Sequence, residues 1–430
     1  MSSSTQSGTE GAGTGGYRPP RPLIKLIIAI VAVLVVSNVV TGLAVYYASL
    51  PPVSGAKVVT VVGPWAGNEK DAFLPVMDQF ARTTGISYTF TTTRQEDLQT
   101  SLPNQFAAGQ SPADLIFMPS AFIKTYAGQG YVTSLTGTIG PSTYKPGALD
   151  QVTANSAIWG GAYTGKVKPG FWYRVSFFQA HGLTPPTTWS QFTTLLANLK
   201  VIAGVKNPII SGDGVGWPLS DVTEHFIATY GGASMHQALT AKTLSWTDTS
   251  VHDLFATYLV PTLQAGDWSE PITWDSPGVN LFWNGTYPLY FMGSWITGMV
   301  SDPSDLGVFS LPGGVANQGI VFAADYFFVP KFAAHPVEAK RLAAFFASAA
   351  AQTTQVRQGG HIATAAGVSI TAYPSVDARV AGLLTGKTVL PDLDDTIGGT
   401  FQTTFWSQLQ LLWSDPTKLD SVLSTIQAAT

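Results

Sequence analysis

Twenty-two consecutive residues without a charge, LIIAIVAVLVVSNVVTGLAVYY at 26–47, constrain this chain more than any other feature. About 20 apolar residues suffice to cross a bilayer as a helix. The run also exceeds the roughly 7–15 apolar residues of a cleaved secretory leader. A retained transmembrane anchor is therefore expected over 23–50, with an uncleaved or cleaved signal, cut near Ala48, as the alternative. Arg18, Arg21 and Lys25 precede the run, and no basic residue follows until Lys57. The positive-inside rule then places residues 1–22, a Ser-, Thr-, Gly- and Pro-rich tail expected to be disordered, in the cytoplasm. Everything beyond Pro51 would face outward, which makes a single-pass protein of the cell membrane with an extracellular binding domain. No second run of this length occurs, so a channel or multi-span transporter is excluded.

The remaining chain is long enough for two domains. With 22 Lys and Arg against 26 Asp and Glu, the formal charge is −4. A nucleic-acid partner, which wants a basic face, is not expected. There is no cysteine, so disulfide frameworks, thiolate metal sites and cysteine nucleophiles are all absent.

Beyond Pro51, strand and helix signals alternate. KVVTVVG at 57–63 is β-branched and short, like a buried strand. Asn68 is placed to cap a helix running to about Thr84, with Glu69 and Asp71 in its first turn. ISYTFTT at 86–92 alternates as a strand, 94–108 reads as a helix interrupted near Pro103, and ADLIFM at 113–118 is again strand-like. Thr188 precedes a helix over 189–200, 320–329 is an apolar strand, 337–351 is a strong helix, and 401–413 is an aromatic one. This order predicts an α/β fold with a largely parallel sheet, whose ligands bind beyond the carboxyl ends of the strands. Trp65, Arg94 and Ser120 all follow such strands.

At this point the sequence resembles the solute-binding proteins of ABC importers, in the large carbohydrate-binding group that includes maltose- and α-glucoside-binding proteins. The resemblance runs in order through VVTVVGPWAGNEKDAFLPVMDQFARTTGISYTF, GQSPADLIFMPS, GQGYVTSL, GKVKPGFWYRVSFFQAHGLTPPTTWSQF, WNGTYPLYFMGSW and PVEAKRLAAFFAS. Arg174 stands where the family usually carries Asn. The resemblance implies an α/β, two-lobed periplasmic-binding-protein-like fold of type II with an interlobe hinge, preceded by the N-terminal transmembrane helix. Lobe 1 would be 56–166 plus 321–375, and lobe 2 would be 167–320 plus 376–430. It also implies partners: a carbohydrate ligand, and ABC permease subunits with a separate ATPase.

A sugar offers C–H faces, which suit aromatic planes, and hydroxyls, which suit short planar polar groups. Trp295, in Met-Gly-Ser-Trp, stands where the family's Trp stacks on a sugar ring, and Gly293 would allow a close backbone approach. Trp65 and Glu69 follow the first strand. Tyr173 is favoured over Trp172 by the family pattern, since neighbours on a strand face opposite ways. Trp217 lies in the Gly-rich GDGVGWP loop. Asp325 and Tyr326 follow the late crossing strand, Trp406 lies where the family carries a stacking aromatic, and Arg94 opens the second helix. Trp159, Trp189, Trp246 and Trp413 are expected to be packing residues.

Enzyme readings find little. The clusters Asp392–Asp394–Asp395 and Asp302–Asp305 fall among turn residues, where Asp is common for local reasons. No His-Glu-x-x-His, no Gly-x-Ser-x-Gly and no phosphate-binding Gly-Lys-Ser/Thr loop is present. No catalytic residue, metal or cofactor is expected. The alternatives left open are a polyol, glycerol phosphate or peptide cargo, and a ligand-sensing receptor.

Overall fold

The β-branched run VVTVVG forms strand β1 (Val58–Gly63), buried on both faces over its second half. The computed structural model describes residues 58–212 and 215–430; the expected tail and span at 1–50 lie outside the described residues. Among the described residues no helix is long and apolar enough to cross a membrane. Helix α1 (Gly67–Thr84) follows β1 and buries Phe73, Val76, Met77 and Phe80, the i, i+3, i+4, i+7 stripe of an amphipathic helix. Each such side chain contributes about 1.5–3 kcal/mol on burial. The helix ends on Gly85 in the left-handed region, φ 72°. Its N-cap is Ala66, without a side-chain cap bond, so Asn68 lies inside the first turn and is not the cap expected of it.

Strand β2 (Ser87–Thr92), helix α2 (Gln95–Ala107) and strand β3 (Leu115–Phe117) follow. Two long strands, β4 (Gly161–Lys168) and β9 (Gly319–Phe328), complete the centre of the first sheet. Between them in sequence lie β5 (Phe171–Arg174), β6 (Ile209–Ile210), β7 (Leu289–Phe291) and β8 (Leu306–Phe309). Two short strands, β10 (Ile362–Ala363) and β11 (Thr388–Leu390), come last. The first sheet runs β10-β4-β9-β3-β1-β2, with β11 also paired to β9, and the second runs β8-β5-β7-β6. Two sheets make the two-lobed α/β architecture, and one apolar cluster, with Val167 and Ile362 of the first sheet and Trp172 and Tyr290 of the second, joins them. The first sheet is mixed, where a largely parallel one was expected. β1 pairs in parallel with β2 and β3, but β9 runs antiparallel to both β3 and β4. The reason is topological: β4 leaves the first sheet for the second, and β9 returns from it.

In the first lobe the core is a stack of rings; Phe346 lies 4.8 Å from Tyr163 and 5.7 Å from Phe117. The second lobe's core gathers helix α3 (Trp189–Lys200), capped by Thr188 as expected, with α4 (Trp217–Phe226) and the C-terminal helices.

Only Pro169 and Gly170 separate β4 from β5. Gly170 has φ +131°, and a Cβ there would lie 2.2 Å from the Phe309 carbonyl oxygen. Gly170→Ala is therefore expected to cost about 2–3 kcal/mol of stability, from backbone strain plus the clash, read as a lowered midpoint in chemical denaturation. An unchanged midpoint would mean that this crossing is not the fixed point the contact implies.

Candidate functional site

A cavity of about 500 Å³ opens between the two sheets. Its walls come from strand ends, as open α/β sheets dictate. The loop after β1 brings Trp65, the first turn of α1 brings Glu69, and the turn after β2 brings Arg94. Strand alternation puts Lys166 and Lys168 of β4 on one face, and both reach the cavity. On β9 the register with β4 shifts between Ala324 and Tyr326, so Asp325 and Tyr326, consecutive residues, both line it. From the second lobe come Trp217 and Asp221 of α4, Trp274, and Trp295 in a tight turn. Helix α5 (Leu393–Ile397) supplies Asp394 and Asp395, and helix α6 (Gly399–Ser414) supplies Trp406.

The aromatic side is built of indoles. Trp217 packs edge-on against Trp274 at 5.1 Å and lies 5.8 Å from Trp295. The ring of Trp295 folds back over Gly293, where any Cβ would collide with it. Trp65 is almost wholly buried among Phe73 at 4.6 Å and Phe117 at 4.7 Å, so it forms cavity floor.

The charged side has two centres. Lys166 lies 3.5 Å from both Glu69 and Asp325, with its ammonium 5.4 Å over the Trp295 ring. Burial alone would lower the Lys166 pKa, but the Asp325 and Glu69 carboxylates hold it above the ordinary value. Burial pushes Asp325 up to about 6 despite Lys166. His361, which bonds Thr164 at 2.8 Å, is kept neutral by burial and by Lys166. The second centre is Lys168, bonded to Asp221 and Asp392. Burial would lower its pKa as well, yet its carboxylate neighbours raise it far above normal. Asp392, whose side chain caps α5 through the Asp395 amide, is held below the usual carboxylate range because Lys168 outweighs its burial. Burial raises Asp221 to about 7 and Asp394 to about 8. It raises Glu224 and Asp395 well above normal, with Asp392 adding to both. Asp394 accepts from Trp406 Nε1 at 2.7 Å and shares Gln402 Nε2 with Asp395. Behind them, Glu224 accepts from the Leu393 amide at 3.0 Å and lies 2.9 Å from His236 Nε2.

Of the residues singled out in the sequence, Trp65, Glu69, Arg94, Trp217, Trp295, Asp325, Tyr326 and Trp406 meet in this cavity. Arg94 stands at its rim, 62% exposed and 3.5 Å from Glu96. Tyr173 does not line it. Its ring packs 4.1 Å from Phe178 and 6.0 Å from Phe309, in the second lobe's core. Its neighbour Trp172 faces the other way and is buried, donating to the Met292 carbonyl at 2.6 Å within an apolar cluster that holds Tyr290 and Leu306. Arg174 is held outside the cavity by Asp305 at 2.8 Å and the face of Trp283. Two groups were missed. Trp274 sits in a Pro-flanked loop, PITWDSP, without the glycines that singled out Trp217. The Asp392–Asp394–Asp395 cluster was expected to serve a turn; Asp392 caps a helix, and the cluster also faces the cavity.

Residues 66–353 match the family described as bacterial extracellular solute-binding protein. The chain is 45% identical over 411 residues to an uncharacterized ABC transporter extracellular-binding protein, PH1039, of Pyrococcus horikoshii; the match covers 94% of this chain and 96% of that one. In three dimensions it is similar to the bacterial solute receptor AcbH, for which an exclusive preference for β-D-galactopyranose is described. The TM-score is 0.76 at 19% identity, covering 86% of this chain and 97% of the other. It is also similar to the binding protein RafE in complex with raffinose, with TM-score 0.70, 16% identity, and 86% and 98% covered.

Proposed function

The chain belongs to the bacterial extracellular solute-binding protein family, and from that premise we propose that it captures a sugar or oligosaccharide outside the cell and delivers it to an ABC permease driven by a separate ATPase. One observation carries the sugar reading: the indoles of Trp217, Trp274, Trp295 and Trp406 share one cavity with carboxylates at its edges. Flat apolar faces beside planar acceptors match a ring with C–H faces and a rim of hydroxyls. The sugar cargoes of AcbH and RafE agree with this. A phosphate cargo is disfavoured, because Lys166 and Lys168 are each already engaged by two carboxylates.

Cavity walls drawn from both lobes support closure of the lobes on the ligand, with the crossings near Gly170 and between β8 and β9 as pivots. The permease would then recognise the closed form. The uncharged run at 26–47 supports an anchor that keeps the receptor at the membrane surface, where its effective concentration at the permease is high.

The test is calorimetry and Trp fluorescence on the full-length chain, in a detergent without a sugar headgroup, against a panel of mono- and oligosaccharides and charged solutes. A glycan should bind and perturb the fluorescence. Trp295→Ala should weaken that binding about ten-fold or more, about 1.4 kcal/mol, for the loss of one stacking plane. Tyr173→Phe should leave it within two-fold. Binding of a charged solute with silence from every glycan would refute the sugar reading.

A further inference from the structure

Carboxyl side chains outnumber cations in the lining of the cavity. Lys166 stands against Glu69 and Asp325, and the Asp325 Oδ2 atom has no hydrogen-bond partner, with His361 Nδ1 3.7 Å away. At the other end, carboxylate oxygens of Asp392, Asp394 and Asp395 lie within 4.8 Å of one another, and Asp221 and Glu224 close in on Asp392 from behind. Lys168 is the ammonium among them, and it is spent on Asp221 and Asp392. Asp394 and Asp395 have no ammonium of their own: Asp394 bonds Ser220, Trp406 and the Asp392 carboxyl, and both share Gln402. The Trp406 indole N–H is given to Asp394, and Arg94 at the rim is turned to Glu96. The cavity lining thus holds more carboxyls than cations beside its indole faces, a setting that favours a guest bringing donors and positive charge.

A neutral sugar meets part of that need, since each hydroxyl donates one hydrogen. An ammonium meets more of it: it carries three donors and no acceptor, its bonds to carboxylates are charge-assisted, and it is drawn to indole faces. Resting on the sugar reading above, we propose that the cargo is a cationic carbohydrate. It would be a sugar or short oligosaccharide with a free, unacylated amine, whose ammonium is seated at Asp394 and Asp395 beside Trp406. A positive guest there takes over the task of protons that burial keeps on these carboxyls. Binding therefore releases protons, which a neutral sugar has no reason to do.

The experiment is calorimetry at pH 6.5 on the full-length chain. The probes are glucosamine and its di- and trisaccharides, each paired with its N-acetylated form and its glucose counterpart. The free amines should bind at least ten-fold tighter than either partner, and their heats should vary with buffer ionisation enthalpy in the sense of proton release. Asp395→Asn should narrow the preference to under three-fold. A glucose or N-acetylated form that binds as tightly as its amine overturns the cationic cargo and leaves the sugar reading standing. Silence from every sugar, amine or neutral, removes both.

Discussion

Lys168→Met is expected to cost about 3–5 kcal/mol of stability at pH 8, the largest single-residue effect foreseen in this chain. Lys168 is nearly inaccessible, and its ammonium is the direct partner of both Asp221 and Asp392. Methionine matches its length and apolar stem but leaves two buried carboxylates without a counter-charge, the costly way to break a buried pair. The residue also joins the lobes' elements: it closes β4, while Asp221 lies on α4 and Asp392 precedes α5. The loss should shrink on acidification, because Asp392 is held in its charged form by Lys168 and takes up a proton once that hold is gone. Lys168→Met with Asp392→Asn should recover a large part of the cost. Asn still caps α5 and carries no charge. A double-mutant cycle in denaturant measures the coupling. A single variant within half a kcal/mol of the parent at pH 8 would show that the triad is solvated and not the buried ion cluster described.

Much of the fold was legible in the sequence because its signals are local. The Phe73, Val76, Met77, Phe80 stripe announces α1, and Thr188 announces α3 by capping it. The mixed sheet was not legible, since β9 meets β4 and β3 across well over a hundred residues and no local pattern encodes that pairing. Of the aromatic half of the site, Trp295 and Trp406 were legible through the family resemblance, and Trp217 because an indole in a Gly-rich loop has few structural uses. Trp65 met the same criterion, yet the surrounding rings of Phe73, Phe90 and Phe117 absorbed it into the floor. The charged half was hidden for a different reason. Asp392 reads as a turn residue and serves locally as the cap of α5, while its bond to Lys168 spans 224 positions. A residue with two jobs shows only the local one in sequence. Tyr173 lies outside the cavity for the converse reason: its ring is taken up by Phe178 and Phe309 on the second lobe's core.

Acidification from pH 8 to about 6.5 should stabilise the folded chain, against the common expectation that buried carboxylates favour higher pH. Asp221, raised to about 7, and Asp394, raised to about 8, are joined by Glu224 and Asp395, both raised well above normal. The unfolded chain titrates these groups near 4. Between that value and the folded one, the folded state holds protons that the unfolded state has lost. The stability such a group contributes is complete below its unfolded pKa and is lost as pH rises through its folded pKa. Each proton difference is worth about 1.4 kcal/mol per pH unit. Below about 6.5 a second set opposes the trend. His225 is depressed to about 3, His236 to about 4, and His361 well below normal, each mainly by burial, so there the unfolded state binds the additional protons. The carboxyl gain, joined by Asp325 at about 6, still outnumbers the histidine loss, so the gain on acidification should slow between pH 6.5 and 5. Asp114, held below its ordinary value by its Thr60 and His335 bonds against the pull of burial, loses its contribution only at still lower pH. Thermal midpoints recorded from pH 5 to 8 at constant ionic strength test the profile. A midpoint that climbs steadily from 6.5 to 8 would mean that the acidic cluster is ionised in the folded state, its burial offset by water or a bound cation.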